Sequence, residues 1–159
     1  MIYVIMGVSG CGKSSVGTQL AEKLQLPFFD ADDYHPQSNV DKMSAGIALT
    51  DEDRWPWLQK LNSEMQQWQQ NGGAVLACSA LKQAYRDCLA DNLAQAVTFV
   101  FLKGDFATLL SRLESRTGHF MKSDLLMSQL ATLEEPEHAL VIDINQSLEA
   151  IVQNIIKEI

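Results

Sequence analysis

The sequence predicts an α/β protein with three layers, α/β/α, and a five-stranded parallel sheet in the middle layer. Short apolar segments alternate with amphipathic helical patterns along the chain, which is typical of a parallel sheet covered on both faces. A glycine-rich turn follows the first apolar segment and leads into the first helical pattern. Because the 159 residues show no internal repeat, low-complexity segment or linker, we expect a single domain over residues 1–159.

The first half of the chain contains three predicted strands and two predicted helices. The strands are short apolar runs, and each helix shows apolar residues at intervals of three and four. Thr50 or Asp53 caps the second helix, and Asn71-Gly72-Gly73 ends it near residue 70. The predicted strands are residues 2–6, 27–29 and 74–78, and the first helix is residues 13–24.

The second half continues the alternation with two further strands. Asp105 caps a helix that includes Leu109 and Leu113, and Ser147 caps the last helix. Polar residues of mixed charge fill positions 114–123, before a short helix that ends near residue 133. The predicted strands are residues 97–102 and 139–142, and a further helix covers residues 81–89.

The glycine-rich turn GVSGCGKS, residues 7–14, satisfies the phosphate-loop pattern G-x-x-x-x-G-K-[ST] between a strand and a helix. Its glycines let successive N–H groups turn toward phosphates, and the helix N-terminus adds about half a positive charge. Lys13 is expected to reach the β- and γ-phosphates of ATP, and the Ser14 hydroxyl to bind Mg²⁺. The alternative is a glycine-rich turn without a ligand. The predicted ATP contacts in this loop are Gly7, Val8, Ser9, Gly10, Cys11, Gly12, Lys13, Ser14 and Ser15.

Three carboxylates, Asp30, Asp32 and Asp33, follow the second predicted strand. The third strand carries no carboxylate, so we expect the second strand to supply the other magnesium contact, if it lies near the first. With an extended backbone Asp30 and Asp32 both face the cleft, one holding Mg²⁺ and the other accepting the proton of the attacking hydroxyl. We assign the metal to Ser14 and Asp30 and catalysis to Lys13 and Asp32, although the sequence leaves the order of the two aspartates open. We interpret Asp33 as solvated.

Cationic side chains indicate where an acidic acceptor binds. Lys82 and Arg86 are four residues apart on one predicted helix face, where like charges repel unless an anion lies near them. Arg54 lies at the start of a helix, where the helix dipole disfavours a cation. His35 is placed to orient a substrate hydroxyl. For each of these residues the alternative is an ordinary solvated side chain.

A cation-bearing segment between two helices, about residues 114–136, is predicted to form a lid over the transferring phosphoryl group. Arg112 and Arg116 are predicted ATP contacts, and Arg116 is also a predicted catalytic residue. His119 in the lid is a predicted substrate contact, and Gln146, after the last strand, is placed to contact adenine. The alternative for the lid is a polar surface loop.

The net charge of −8 argues against a protein that binds nucleic acid or a membrane surface, although local cations can still bind a small anion. No apolar run approaches the roughly 20 residues needed to cross a bilayer, and the N-terminus lacks the features of a secretory signal. The three cysteines are odd in number and lack metal-ligand spacing, which predicts free thiols in a reducing cytoplasm.

Together these motifs resemble the gluconokinase family, small phosphate-loop kinases of the nucleoside-monophosphate-kinase fold. The resemblance implies transfer of the ATP γ-phosphoryl group to the 6-hydroxyl of D-gluconate, with Mg²⁺, a cytoplasmic setting and a homodimer. It also implies that His35, Arg54, Lys82 and Arg86 contact the acceptor. It extends nearly end to end and is carried by GVSGCGKSS from Gly7, DADDYHP from Asp30, NVDKMSAGIALTDEDRWPWL from Asn39, CSALKQAYRD from Cys78, FLKGD from Phe101 and RTGHFMKSDLLMSQLATLEEP from Arg116.

Gluconate has a carboxylate at one end and a primary hydroxyl at the other, which suits the predicted site. Arg54, Lys82 and Arg86 are expected to hold the carboxylate, while the side of the cleft with Asp30 and Asp32 receives the hydroxyl for in-line attack. Two alternatives stay open: a kinase of the same fold for shikimate or a nucleoside monophosphate, and a module that senses ATP without turnover.

Overall fold

A computed structural model describes residues 1–117 and 122–159 and confirms the predicted α/β fold. Within these residues, no helix is both long enough and apolar enough to cross a bilayer. Short 3₁₀ turns, Ala31–Tyr34 and Ala94–Ala96, follow the second strand and precede the fourth. The strands are β1 (Ile2–Met6), β2 (Phe28–Asp30), β3 (Ala74–Ala77), β4 (Val97–Lys103) and β5 (Leu140–Asp143). The helices are α1 (Lys13–Leu24), α2 (Gln37–Ser44), α3 (Asp51–Gln70), α4 (Gln83–Ala90), α5 (Phe106–Thr117), α6 (Lys122–Thr132) and α7 (Leu148–Glu158).

The five strands are parallel and lie in the order β2-β3-β1-β4-β5, so β3 separates β1 from β2. Ala77 at the end of β3 is paired with Ile5 of β1 on one side and with Asp30 of β2 on the other. Because the carboxyl ends of parallel strands meet at one edge, the phosphate loop and the aspartates after β2 share that edge.

Two apolar clusters, one on each face of the sheet, produce the three layers. Side chains alternate along β1: Ile5 packs with α1 and α7, whereas Val4 and Met6 pack with α3 and α4. The helical members of the first cluster include Val16, Leu20, Ile151, Val152 and Ile155, and those of the second include Leu58, Leu61, Met65, Tyr85 and Leu89.

Two features between β2 and α3 differ from the sequence-based expectation. Helix α2 has only two large apolar residues, Val40 and Met43, and both are exposed, while Asn39 is its one buried residue, so hydrophobic periodicity gives little sign of this helix. The backbone after β2 is not extended, which corrects the expectation for Asp30 and Asp32. It bends into the 3₁₀ turn because the Asp30 carboxylate accepts the Asp32 N–H at 3.0 Å and caps that turn.

Gly17 marks the point of closest approach between α1 and β2. It is buried in the middle of α1, and a Cβ at this position would lie 2.5 Å from Cε1 of Phe28. The absence of a side chain therefore lets the helix that follows the phosphate loop pack directly on the strand that ends in Asp30.

Gly17→Ala is expected to lower the free energy of unfolding by about 1–3 kcal/mol, because overpacking against Phe28 outweighs the higher helix propensity of alanine. Urea denaturation followed by circular dichroism measures the change. Thr18→Ala, at an exposed neighbouring position of α1, serves as the control and should not lower stability. A Gly17→Ala variant more stable than the parent would contradict the close contact.

Candidate active site

The phosphate loop joins β1 to α1 in the predicted way. Gly7, Gly10 and Gly12 have φ angles of 144°, 87° and 93°, a region that other residues rarely adopt. The Gly7 N–H donates to the Ser79 carbonyl at 3.3 Å, which fixes the loop to the residues after β3. Cys11, a residue of this loop, is fully buried, and burial raises the pKa of its thiol. The loop is therefore a rigid set of backbone donors at the N-terminus of α1.

A cavity of about 420 Å³ opens over this loop and contains the predicted phosphate and metal ligands. Lys13 lines the cavity, and its Nζ donates to the carbonyl oxygens of Gly7 at 3.0 Å and Val8 at 3.2 Å. The Ser14 hydroxyl donates to Asp30 Oδ2 at 3.5 Å. The structure thus brings Lys13, Ser14 and Asp30 together, as predicted, although β3 lies between their strands.

Asp32 also faces this cavity, at the start of the 3₁₀ turn. Its side chain is 82% exposed, yet it lies in the concave cleft beside Asp30. Partial desolvation by the cleft, followed by repulsion from the Asp30 carboxylate, raises the pKa of Asp32. A carboxylate of raised basicity at the rim of a phosphate cavity is suited to accept a proton from a hydroxyl.

His35 is held rigidly behind Asp32. Its ring stacks on Trp57 with centroids 4.1 Å apart, and its Nδ1 lies 3.2 Å from the Asn39 amide nitrogen. Since an amide nitrogen can only donate, Nδ1 accepts and the proton of the neutral ring is assigned to Nε2, which faces Asp32 Oδ1 at 3.8 Å. Burial, with a smaller contribution from the cation of Arg54, lowers the pKa of His35. A neutral His35 can donate toward the cleft.

A second cavity of about 540 Å³ lies next to the first. His35, Arg54, Ser128 and Thr132 supply polar groups to its wall, and Trp57 supplies an aromatic face. Four residues line both cavities, so the two cavities meet there. These shared residues are Asp32, Ser79, Leu125 and Gln129.

Arg54 belongs to a charged cluster centred on Asp51, at the start of α3. The Tyr85 hydroxyl donates to Asp51 Oδ1 at 2.5 Å, and Lys82 Nζ lies 3.4 Å from Oδ2. Arg54 donates to the Tyr85 hydroxyl at 3.3 Å and is 3.8 Å from Asp51. The hydrogen bond from Tyr85, followed by those from Lys82, lowers the pKa of Asp51. Among the described residues that line the second cavity, Arg54 is present and Lys82 is not, because Lys82 is directed to Asp51.

The structure does not bring Arg86, a predicted acceptor contact, to the second cavity. Arg86 is 2% exposed and donates to the carbonyl oxygens of Ala80 and Glu134, each at 2.7 Å. Ala80 has a φ of 46°, an unusual conformation for alanine, and Arg86 holds its carbonyl in place. Arg86 therefore fixes the loop after β3 to the segment after α6. Sequence spacing suggested a pair with Lys82, but helix α4 begins only at Gln83 and the two cations have different partners.

A third cavity, of about 340 Å³, lies on the other side of the phosphate loop. Arg112 and Gln146 line it together with Gly12 and Ser15, so the structure brings these four predicted ATP contacts together. Arg112 donates to the Ile144 carbonyl at 2.6 Å, so the residue directly after β5 positions its guanidinium. The side chain of Arg116 and the whole of His119 lie outside the described residues, and their predicted roles stay predictions.

Sequence reasoning missed four residues that shape the site: Asn39, Trp57, Ser79 and Gln129. Asn39 orients His35, and Trp57 stacks on it while donating to the Ala31 carbonyl at 2.7 Å. Ser79 could have been found, because it directly follows the third strand, where ligands bind in parallel sheets. Gln129 lies in a helix of mixed polar and apolar residues, and no local pattern distinguishes it from a surface glutamine.

Known proteins are similar to this chain over nearly its full length. Residues 9–159 match the shikimate kinase family. The thermoresistant gluconokinase of Escherichia coli K12 is 45% identical over 163 residues, which is 99% of this chain and 93% of that protein. The gluconokinase of Gluconobacter oxydans is 49% identical over 135 residues, covering 84% and 75% of the two chains. The crystal structure of a gluconokinase from Sinorhizobium meliloti superposes with a TM-score of 0.87 at 46% identity, covering 95% and 86%.

Arg86→Met is expected to lower the free energy of unfolding by about 2 kcal/mol or more, because the Ala80 and Glu134 carbonyls lose their donors in a buried setting. Urea denaturation measures this effect. Lys60→Met, at the exposed end of an ion pair in α3, is the control and should change stability little. A variant of unchanged stability that only weakens acceptor binding would restore Arg86 as an acceptor ligand.

His35 is expected to make the protein sensitive to mild acid. Its pKa is lowered in the folded state, so its stabilising contribution is present above the unfolded pKa of about 6.5 and is lost as the pH falls below it. Denaturation at about pH 7.5 and about pH 5.5 should show a smaller loss of stability in His35→Gln than in the parent. His138→Gln removes an exposed histidine and is the control. An equal loss in parent and His35→Gln would refute the assignment.

Proposed function

This chain belongs to the gluconokinase family, and we propose that it transfers the γ-phosphoryl group of ATP to the 6-hydroxyl of D-gluconate, giving 6-phosphogluconate and ADP. One structural observation supports this proposal most strongly. The cavity over the phosphate loop, here called the phosphate cavity, meets the cavity beside His35 and Arg54, here called the acceptor cavity. The two cavities meet at Asp32, Ser79 and Gln129. A phosphoryl group bound in the first cavity is therefore next to an acceptor bound in the second.

Asp32 is the proposed base of this reaction. The gluconate hydroxyl oxygen forms a bond to the γ-phosphorus while the bond from that phosphorus to the β–γ bridging oxygen breaks, and ADP leaves. The hydroxyl proton passes to Asp32, whose raised pKa favours proton acceptance. His35 Nε2–H orients the hydroxyl or the carboxylate of Asp32 beside it. Lys13 supplies positive charge to the transferring group, as does the proposed lid with Arg116.

The residues at the phosphate cavity fit a magnesium ion. Mg²⁺ takes one or two protein oxygen ligands and completes its shell with water and phosphate oxygens. Ser14 Oγ and Asp30 Oδ2, 3.5 Å apart, are an oxygen pair of this kind. We propose that they hold Mg²⁺, which would neutralise charge on the β- and γ-phosphates. Asp30 is better placed for this than Asp32, because it is the aspartate that contacts Ser14.

Arg54 is the proposed partner of the gluconate carboxylate. Among the described residues, Arg54 is the Lys or Arg side chain that lines the acceptor cavity, and it is 30% exposed. Asp51 and Tyr85 orient its guanidinium. Lys82 does not line the cavity, but it forms an ion pair with Asp51 and so helps to hold this cluster in place. A sugar acid with one end at Arg54 and the other at Asp32 is aligned along the cavity, which is most of what phosphoryl transfer requires.

Three further properties belong to the same proposal. We expect a homodimer, as the resemblance to gluconokinases implies. The cytoplasm is the expected setting because the three cysteines are free thiols. The net charge of −8 supports a small-molecule substrate in preference to nucleic acid or a membrane surface.

The test measures ADP formation from ATP and Mg²⁺ with D-gluconate, shikimate or a nucleoside monophosphate as acceptor. Gluconate should be the acceptor that is phosphorylated, and Asp32→Asn should lower kcat by about 10²- to 10⁴-fold because the base is lost. The proposal fails for this acceptor if shikimate, the substrate in the name of the matched family, gives turnover and gluconate does not.

Asp33→Asn is the matched control for Asp32→Asn. Asp33 is the adjacent residue, it is exposed, and its replacement removes the same charge. It should leave kcat within about twofold of the parent, since surface charges beyond the cleft are screened. Equal losses in the two variants would indicate a general effect of charge on the 3₁₀ turn and would remove Asp32 from the role of base.

A further inference from the structure

Gln129 of α6 lies at the junction of the phosphate cavity and the acceptor cavity and lines both. Its Oε1 accepts a hydrogen bond from the Ser9 N–H at 2.6 Å. The two residues are 120 positions apart in sequence, so this contact joins the phosphate loop to the helix on the opposite side of the cleft.

The Ser9 N–H is one of the backbone donors with which a phosphate loop binds its anion. It has one hydrogen, so a phosphate oxygen and the Gln129 carbonyl compete for it. Binding of a triphosphate to the loop must therefore displace the Gln129 carboxamide. In the contact with Ser9, the carboxamide oxygen occupies a position that suits a phosphate oxygen.

The displaced carboxamide has a second surface within reach. Leu125 and Thr132, four residues before and three residues after Gln129, line the acceptor cavity on the same side of α6. Asp32 and Ser79 lie at the same junction. A carboxamide offers both a donor and an acceptor, which matches a polyol whose hydroxyls also do both.

We propose that Gln129 is a positioning residue that exchanges partners during the catalytic cycle. It binds the Ser9 N–H until ATP takes that donor, and it then binds hydroxyl groups of the sugar acid. ATP and the acceptor therefore strengthen each other's binding, because each favours the same orientation of Gln129. This inference rests on the proposed function for the identity of the acceptor, but not for the competition with phosphate.

Two variants at this position should change nucleotide binding in opposite directions. Gln129→Ala removes the competitor, so a non-hydrolysable ATP analogue with Mg²⁺ should bind alone about three- to tenfold more tightly than to the parent. Gln129→Glu keeps the length but gives a charged acceptor for Ser9 and repels the triphosphate, so the analogue should bind more weakly by at least as much.

The measurement is calorimetric titration of the analogue and of D-gluconate, each alone and each in the presence of the other. In the parent, each ligand should tighten the other, and in Gln129→Ala this mutual effect should disappear while gluconate binds the analogue complex about three- to tenfold more weakly. Met127→Ala, at a 58% exposed position of the same helix, is the control and should behave as the parent.

The outcomes separate this inference from the proposed function. If Gln129→Ala binds the analogue no more tightly than the parent, or Gln129→Glu binds it no more weakly, the exchange of partners is wrong. A merely structural role would weaken both ligands in both variants. If the parent does not phosphorylate gluconate yet the two variants shift analogue binding as expected, the acceptor is misidentified and the competition at Ser9 stands.

Discussion

The active site depends on the small side chains at the end of β3. This strand separates the phosphate loop from the second strand, and Ala77 is paired with both Ile5 and Asp30. Neighbouring strands lie about 4.8 Å apart, so Asp30 is roughly 10 Å from the backbone of β1. Ser14, at the start of α1, bridges this distance, because its hydroxyl comes within 3.5 Å of the Asp30 carboxylate. A larger side chain at the end of β3 would fill part of the cavity over the phosphate loop, which Ala77, Cys78 and Ser79 line.

On the acceptor side of the site, contacts with Asp53 hold helix α2 against the start of helix α3. Lys42 of α2 bonds both oxygens of Asp53 at 2.8 and 2.9 Å, and its hydrogen bond lowers the pKa of Asp53 to about 2. Asn39 donates to the Asp53 carbonyl as well as contacting His35. The orientation of His35 thus follows from the anchoring of α2 to the start of α3. The Asp51 and Asp53 carboxylates beside this part of the site already have cationic partners, which reduces their repulsion of an anion in a protein of net negative charge.

Features that show in apolar spacing or in a glycine-rich motif could be predicted, whereas those set by individual polar side-chain contacts could not. The strand β1 and helix α1 have the predicted bounds, because their periodicity and the glycines between them fix them locally. The turn after β2 depends on one hydrogen bond from the Asp32 N–H, and α2 depends on Asn39 and Lys42 reaching Asp53. The burial of Arg86 arises from carbonyls 6 and 48 positions away, which helical spacing cannot reveal.

The proposed reaction requires that phosphate and acceptor bind in the two cavities that meet at Asp32. A crystal structure of the protein with a non-hydrolysable ATP analogue and D-gluconate tests it most directly. We expect the 6-hydroxyl within hydrogen-bond distance of Asp32 and about 3–3.5 Å from the γ-phosphorus, with the gluconate carboxylate toward Arg54. Gluconate bound in the reverse orientation, or outside the cavity of His35 and Arg54, would contradict the account.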